Sequence, residues 1–171
     1  TNKTIGIIGL GHIGKDIVNL LKPFQCKIIA NDLVEFKDFC GLNNIIQTDL
    51  TSLLKKSDII TIHVPLDEST RYLIGPKQFN YMKHECYLIN TARGNIVDEK
   101  ELKSALMGNK IAGAAFDVFA DEPPLDHELL GLKNFITTPH IAGMSTEAMS
   151  AMGGAAISGL VNAKEALPEN Y

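Results

Sequence analysis

Arg93, Glu122 and His140 are residue types that suit acid–base chemistry on a small carbonyl compound that carries a carboxylate. Arg93 precedes Gly94, just past the apolar run Cys86-Tyr87-Leu88-Ile89-Asn90. Its guanidinium is a planar fork that fits a carboxylate and can polarise a carbonyl oxygen. His140 stands in Thr138-Pro139-His140. An imidazole titrates near neutrality, so it can give or take a proton once a neighbour holds its ring. Glu122, in a loop stiffened by Pro123-Pro124, is the candidate neighbour. Plainer readings stand beside these. Arg93 also reads as a surface cation paired with Asp98 or Glu99, and His140 as a satisfied hydrogen-bonder behind a strand.

A second constellation suits an anion and a ribose. The stretch Gly9-Leu10-Gly11-His12-Ile13-Gly14 follows the apolar run Thr4-Ile5-Gly6-Ile7-Ile8 and opens a helical pattern, Lys15 to Leu21. Strand, glycine turn and helix together form the context of a dinucleotide fingerprint. Gly9 permits the tight turn, Gly11 lets backbone approach a pyrophosphate, and Gly14 lets the helix pack on the strand. The helix start adds unpaired N–H groups and the positive end of a dipole. Alone, the glycines also fit an ordinary turn. The next apolar run, Lys27 to Asn31, ends at Asp32, 18 residues past Gly14. That is near the spacing of about 20 expected for the carboxylate that accepts the adenosine ribose hydroxyls. Asp32 would repel a 2′-phosphate, so the sequence predicts NAD over NADP.

These residues need a scaffold. The 171-residue chain is long enough for one domain with a real core, and 45% hydrophobic with 21% charged residues is an ordinary globular mixture. A net charge of -4 without a block of like charges argues against nucleic acid or an anionic membrane as partner. Cys26, Cys40 and Cys86 form no CxxC pair and read as free thiols of a reducing, cytoplasmic compartment. No apolar run reaches membrane-spanning length, and no metal site is expected. The chain begins abruptly before its first strand, as expected of a cut fragment.

Strand and helix patterns alternate along the chain. Strands are expected at Thr4–Ile8, Lys27–Asn31, Ile45–Ile46, Asp58–Ile62, Cys86–Asn90, Ile111–Phe116 and Asn134–Thr138. Helices are expected after the glycine turn, after Asp49 or Thr51, from Gly75-Pro76 to Met82, from Asp98 to Leu106, and from Ser145 to Ala163. The stretch from Leu33 to Asn44 is poorly patterned, and Ala120–Asp126 reads as a loop. Gly153-Gly154 inside the last helix predicts close packing or a kink, since each glycine costs about 1 kcal/mol there. The alternation gives an α/β fold, a Rossmann-type doubly wound parallel sheet with helices on both faces. Ligands bind such sheets beyond the carboxyl ends of the strands. Asp32, His63, Arg93, Asp117 and His140 all fall just behind expected strands.

Four motifs carry a resemblance: Gly9–Gly14, Asn90–Glu99, Phe116–Pro124 and Thr138–Gly143. In order and spacing, and over nearly the whole chain, the sequence resembles the NAD-binding domain of the D-isomer-specific 2-hydroxyacid dehydrogenases, leaning toward phosphoglycerate-dehydrogenase-like members. The resemblance implies that Arg93 binds the substrate carboxylate and carbonyl, that His140 exchanges the proton, and that Glu122 holds His140 and raises its pKa. It implies that His12 and Ile13 meet the pyrophosphate through their backbone and that Asp32 meets the ribose. Val64 and Pro65 would line the cofactor cleft. Thr91, Ala92, Arg93, Asp117, His140 and Gly143 would gather near the nicotinamide. His12 stands where many members carry arginine.

The expected organisation is a dinucleotide-binding domain over residues 1–163 and a tail over 164–171, without the N-terminal substrate domain of the family. The expected reaction passes a hydride between NAD(H) and a D-2-hydroxy or 2-keto acid, with little turnover by this domain alone. A homodimer through the cofactor domain is expected. The rival reading is a corepressor-like scaffold that senses the cofactor without physiological turnover.

Overall fold

The computed structural model describes residues 2–163, so the expected tail at 164–171 lies outside the described residues. The chain divides into a unit ending at Pro139 and a second beginning at His140.

The first unit is built on seven strands, β1 (Thr4–Ile8), β2 (Lys27–Asn31), β3 (Ile46–Gln47), β4 (Ile59–Ile62), β5 (Tyr87–Asn90), β6 (Gly113–Phe116) and β7 (Phe135–Thr137). Their spatial order is β3-β2-β1-β4-β5-β6-β7. Every pairing is parallel, for example Ile8 beside Asn31 on one side and Ile62 on the other. Parallel neighbours need crossovers, and the helices supply them. The order reverses between β1 and β4, which opens a crevice beyond their carboxyl ends, where such sheets take ligands.

Alternation along the strands separates two cores. Ile5, Ile7 and Ala30 pack with Val18 of α1 (His12–Leu21) and Cys40 of α2 (Lys37–Asn43). Ile8, Ile29, Ile60, Ile62 and Leu88 face the other way, toward α3 (Leu50–Lys56), α4 (Pro76–Phe79), α5 (Glu99–Met107) and α6 (His127–Leu130). The expected α/β doubly wound sheet is therefore present. Coverage is uneven, because Tyr87 and Ile136 on the β5–β7 half remain 52% and 69% exposed.

Local signals explain most boundaries. Asp49 caps α3 by accepting from Ser52 N at 2.9 Å, which settles the choice between Asp49 and Thr51. Asp98 caps α5, with Glu99 and Glu101 in its first turn, and Gly108 ends it. Three features differ from expectation. The stretch after Asp32 contains α2, whose Phe36, Phe39 and Cys40 at helical spacing pack toward α1; Phe36 makes no side-chain cap, so the usual start signal is missing. The Asp126-capped turn α6 follows the loop. The strand expected from Ile111 begins at Gly113.

The second unit contains α7 (Thr146–Val161), started by Ser145, whose hydroxyl accepts from Ala148 N. The packing expected at Gly153-Gly154 is not found. The helix runs through both, and a Cβ at either would meet no atom within 4 Å among the described residues. No helix among them is long and apolar enough to cross a membrane.

Candidate functional site

The glycine turn has the conformation that its sequence demands. Gly9 has φ 94, and a Cβ there would lie 2.5 Å from the carbonyl oxygen of His63. Only glycine takes that backbone cheaply and lets β4 come so close. Gly14 sits under the turn, where a Cβ would lie 2.1 Å from Gly9 O. Gly11, the N-cap of α1, is different: nothing lies within 4 Å of its Cβ position. The space above the first turn is open, and the side chains of His12 and Ile13 are exposed.

Asp32 follows β2 and is half-buried. Its Oδ2 accepts from Leu10 N at 2.6 Å and its Oδ1 from Val34 N at 2.9 Å. A groove of about 480 Å³ runs beside it, bordered by Asn31, Asp32, Leu33, Gln47 and Thr48. Each carboxylate oxygen has a further lone pair for a ribose hydroxyl.

A second cleft, of about 510 Å³, joins Ile13, His63, Val64, Pro65, Leu66, Thr91, Ala92 and Arg93. The structure thus brings together the expected Ile13, Val64, Pro65, Thr91, Ala92 and Arg93. His63 forms part of its wall, with Nε2 2.8 Å from Thr61 Oγ1, and burial pushes the imidazole pKa down.

Arg93 is positioned by Asn90, a fully buried side chain at the end of β5. Asn90 Nδ2 donates to Arg93 O at 2.9 Å, and Ala92 N donates to Asn90 Oδ1 at 3.1 Å. This folds the loop so that the Arg93 side chain is exposed. Its Nη1 donates to Ala92 O at 2.7 Å. Among the described residues it forms no ion pair with Asp98 or Glu99, so the plainer reading of Arg93 is not found.

The loop carrying Glu122 abuts the Arg93 loop. A Cβ on Gly94 would lie 1.9 Å from Phe119 O. Glu122 Oε1 accepts from Phe119 N at 3.0 Å, and Glu99 Oε1 from Ala120 N at 2.6 Å. Asp117, buried behind β6, accepts from the hydroxyl of Thr138. Thr138 N also extends the sheet by donating to Phe116 O at 3.0 Å. His140 and Gly143 belong to the second unit. His140 opens that unit with left-handed backbone, φ 54.

A larger groove, about 880 Å³, lies at the opposite edge, by Thr4 and Lys27 at the starts of β1 and β2. Lys22, Lys55 and Lys56 on its walls stand at the C-terminal ends of α1 and α3, where the negative end of a helix favours cations. Those lysines have a structural reason, and the groove lies at the amino ends of β1 and β2, away from the carboxyl ends where such sheets take ligands.

Leu10, Gln47 and Leu66 border the candidate site without having been singled out by sequence, and His63 was marked only by its place behind a strand. Leu10 acts through its backbone, which has no residue-type signal. Gln47 follows the same rule as Asp32, a polar residue at a strand's carboxyl end, but β3 is too short to announce itself.

The fold and the turn define a dinucleotide-binding domain, and comparison with known proteins specifies which kind. The family profile of the "D-isomer specific 2-hydroxyacid dehydrogenase, NAD binding domain" matches residues 1–142, and the chain belongs to that family. It is 43% identical over 152 residues to a D-3-phosphoglycerate dehydrogenase of Methanocaldococcus jannaschii, covering 88% of this chain and 29% of the relative. It is 44% identical over 161 residues to a glyoxylate reductase of Thermofilum pendens, covering 93% and 48%. The solved NAD-complexed D-isomer specific 2-hydroxyacid dehydrogenase of Lactobacillus delbrueckii ssp. bulgaricus superposes with a TM-score of 0.85 at 32% identity, covering 96% of this chain and 55% of that one. The chain thus spans between about a third and about half of the length of these relatives.

Proposed function

We propose that this domain binds NAD(H) and that the protein it serves interconverts a D-2-hydroxy acid and its 2-keto acid. One observation carries the reading. The glycine turn and the Asp32 carboxylate are joined directly, by Leu10 N, at the point where the strand order reverses. The open space over Gly11 and the N-terminus of α1 fit a pyrophosphate, reached by the backbone of Gly9, Gly11, His12, Ile13 and Gly14. Asp32 takes the adenosine ribose and disfavours a 2′-phosphate. Val64, Pro65, Thr91 and Ala92 wall the nicotinamide cleft; the family motifs assign Asp117, His140 and Gly143 to the nicotinamide as well.

Bound NADH supplies a hydride for the carbonyl carbon of the keto acid. Arg93 grips the substrate carboxylate and stabilises the negative charge that grows on the carbonyl oxygen. Protonated His140 delivers a proton to that oxygen. Glu122 orients the imidazole for that transfer and offsets the positive charge it carries. Reversal takes the hydroxyl proton onto neutral His140. The substrate is a small 2-hydroxy or 2-keto acid. The protein acts in the cytoplasm as a homodimer paired through this domain; the three free thiols suit a reducing compartment. Turnover needs a second domain to exclude water and orient the substrate, so this chain alone turns over little.

The test uses the complete enzyme. His140→Ala abolishes reduction of 2-keto acids while NADH affinity survives, and Glu122→Gln lowers kcat with NADH affinity unchanged. Retained turnover in His140→Ala overturns the acid–base role.

A further inference from the structure

We propose that Gln47 is the positioning residue of the adenosine site: its amide pins the segment behind Asp32 and so enforces the choice of NADH over NADPH. This rests on the NAD reading above and extends it to a residue outside the cofactor's own contacts.

The amide acts as donor and acceptor at once. Gln47 Nε2 donates to Val34 O at 2.6 Å, and Gln47 Oε1 accepts from Phe36 N at 3.0 Å. The Cys40 thiol adds a weak contact to the same oxygen at 3.8 Å. Gln47 is itself fixed, because its backbone pairs beside Ala30 in the sheet. Val34 in turn donates to Asp32 Oδ1, so the pin and the carboxylate form one chain of bonds from β3 to the glycine turn. Below the segment, Lys15 Nζ lies 4.0 Å from the centre of the Phe36 ring.

The exposure of the segment shows what the pin does. Leu33 is 96% exposed and Val34 58%, although both are apolar. Hydrogen bonds at Val34 O and Phe36 N fix the backbone of this segment on both sides of Glu35. Held at Val34 and Phe36, it keeps Leu33 on the border of the adenosine groove and the Asp32 carboxylate fixed in place. A 2′-phosphate entering there meets a negative charge that cannot swing aside. No other neutral side chain of similar length offers both halves of this bond pattern.

A purely structural role, stapling the short β3 edge, would weaken the fold and leave cofactor choice untouched. The experiment therefore reads both cofactors. The chain, Gln47→Met, Gln47→Asn and the control Ile46→Ala are titrated with NADH and NADPH, with folding checked by circular dichroism. Gln47→Met is expected to lose about tenfold in NADH affinity and to narrow the NADH/NADPH preference by about tenfold. Ile46→Ala, on the same strand but outside the pin, is expected to keep both constants. If Gln47→Met fails to fold, Gln47→Asn reads the same ratio, because it adds no charge and its amide, one methylene shorter, cannot reach Val34 O and Phe36 N together. An unchanged ratio, including an equal loss for both cofactors, overturns the proposal while the NAD reading stands. Failure of the unaltered chain to bind NADH overturns both.

Discussion

The backbone N–H of Leu10 donates to Asp32 Oδ2 at 2.6 Å, so the glycine turn behind β1 and the carboxylate behind β2, proposed to hold the pyrophosphate and the ribose, are one bonded unit. Asp32→Ala removes the acceptor of Leu10 N and Val34 N together with the proposed ribose contact. Hydrogen bonds to a charged group are worth about 1.5–3 kcal/mol, so NADH affinity is expected to fall by about 10- to 100-fold. The preference over NADPH is expected to vanish. Titration of both cofactors checks this, and an unchanged preference would remove Asp32 from the site.

Two glycines of the same turn should separate fold from function. Gly14→Ala places a Cβ against the backbone oxygen of Gly9, an atom that cannot move away cheaply. A loss of about 1–3 kcal/mol in urea unfolding is expected. Gly11→Ala meets open space. It should leave stability within about 1 kcal/mol while weakening NADH, because the methyl group occupies the proposed path of the pyrophosphate. Equal effects of the two substitutions would contradict the assignment.

Arg93 offers most of its guanidinium to solvent beside the cleft. In the complete enzyme, Arg93→Met should raise KM for a 2-keto acid and depress kcat by at least about 100-fold, with NADH affinity little changed. Arg93→Lys should restore part of the rate, since a point charge cannot make the bidentate contact. Wild-type kinetics in Arg93→Met would show that another cation holds the substrate.

His63 gives a pH dependence with a definite sign. Burial lowers its folded pKa below the ordinary 6.5. The unfolded chain therefore takes up the proton first as the pH falls. The contribution of His63 is complete above about pH 6.5 and is lost as the pH drops through the folded pKa. His63→Gln should flatten the decline in urea midpoint between about pH 7.5 and about pH 5.5. Equal declines in both proteins would mean that other groups set the acid limb.

Much of this was legible in the sequence, for identifiable reasons. The glycine turn and the Asp98 cap each announce a backbone requirement through residue type, and the structure contains both; Asp32 stands directly behind β2, as the strand pattern placed it. The helix α2 was hidden because Phe36 supplies no cap and Gly41 interrupts a short pattern. At the glycines of α7 no close contact is found among the described residues, since helix glycine has more than one cause. The Gln47 pin was illegible, since it joins residues 11 and 13 positions apart through a side-chain amide. Asn90 shows the same limit: its residue type was visible, but its hold on the Arg93 loop exists only in three dimensions.

The most direct test of the account is a calorimetric titration of this chain with NADH and with NADPH. Saturable binding of NADH, at least about tenfold tighter than NADPH, is the result expected if the glycine turn and Asp32 act as one site. Binding of neither cofactor, or tighter binding of NADPH, would contradict it.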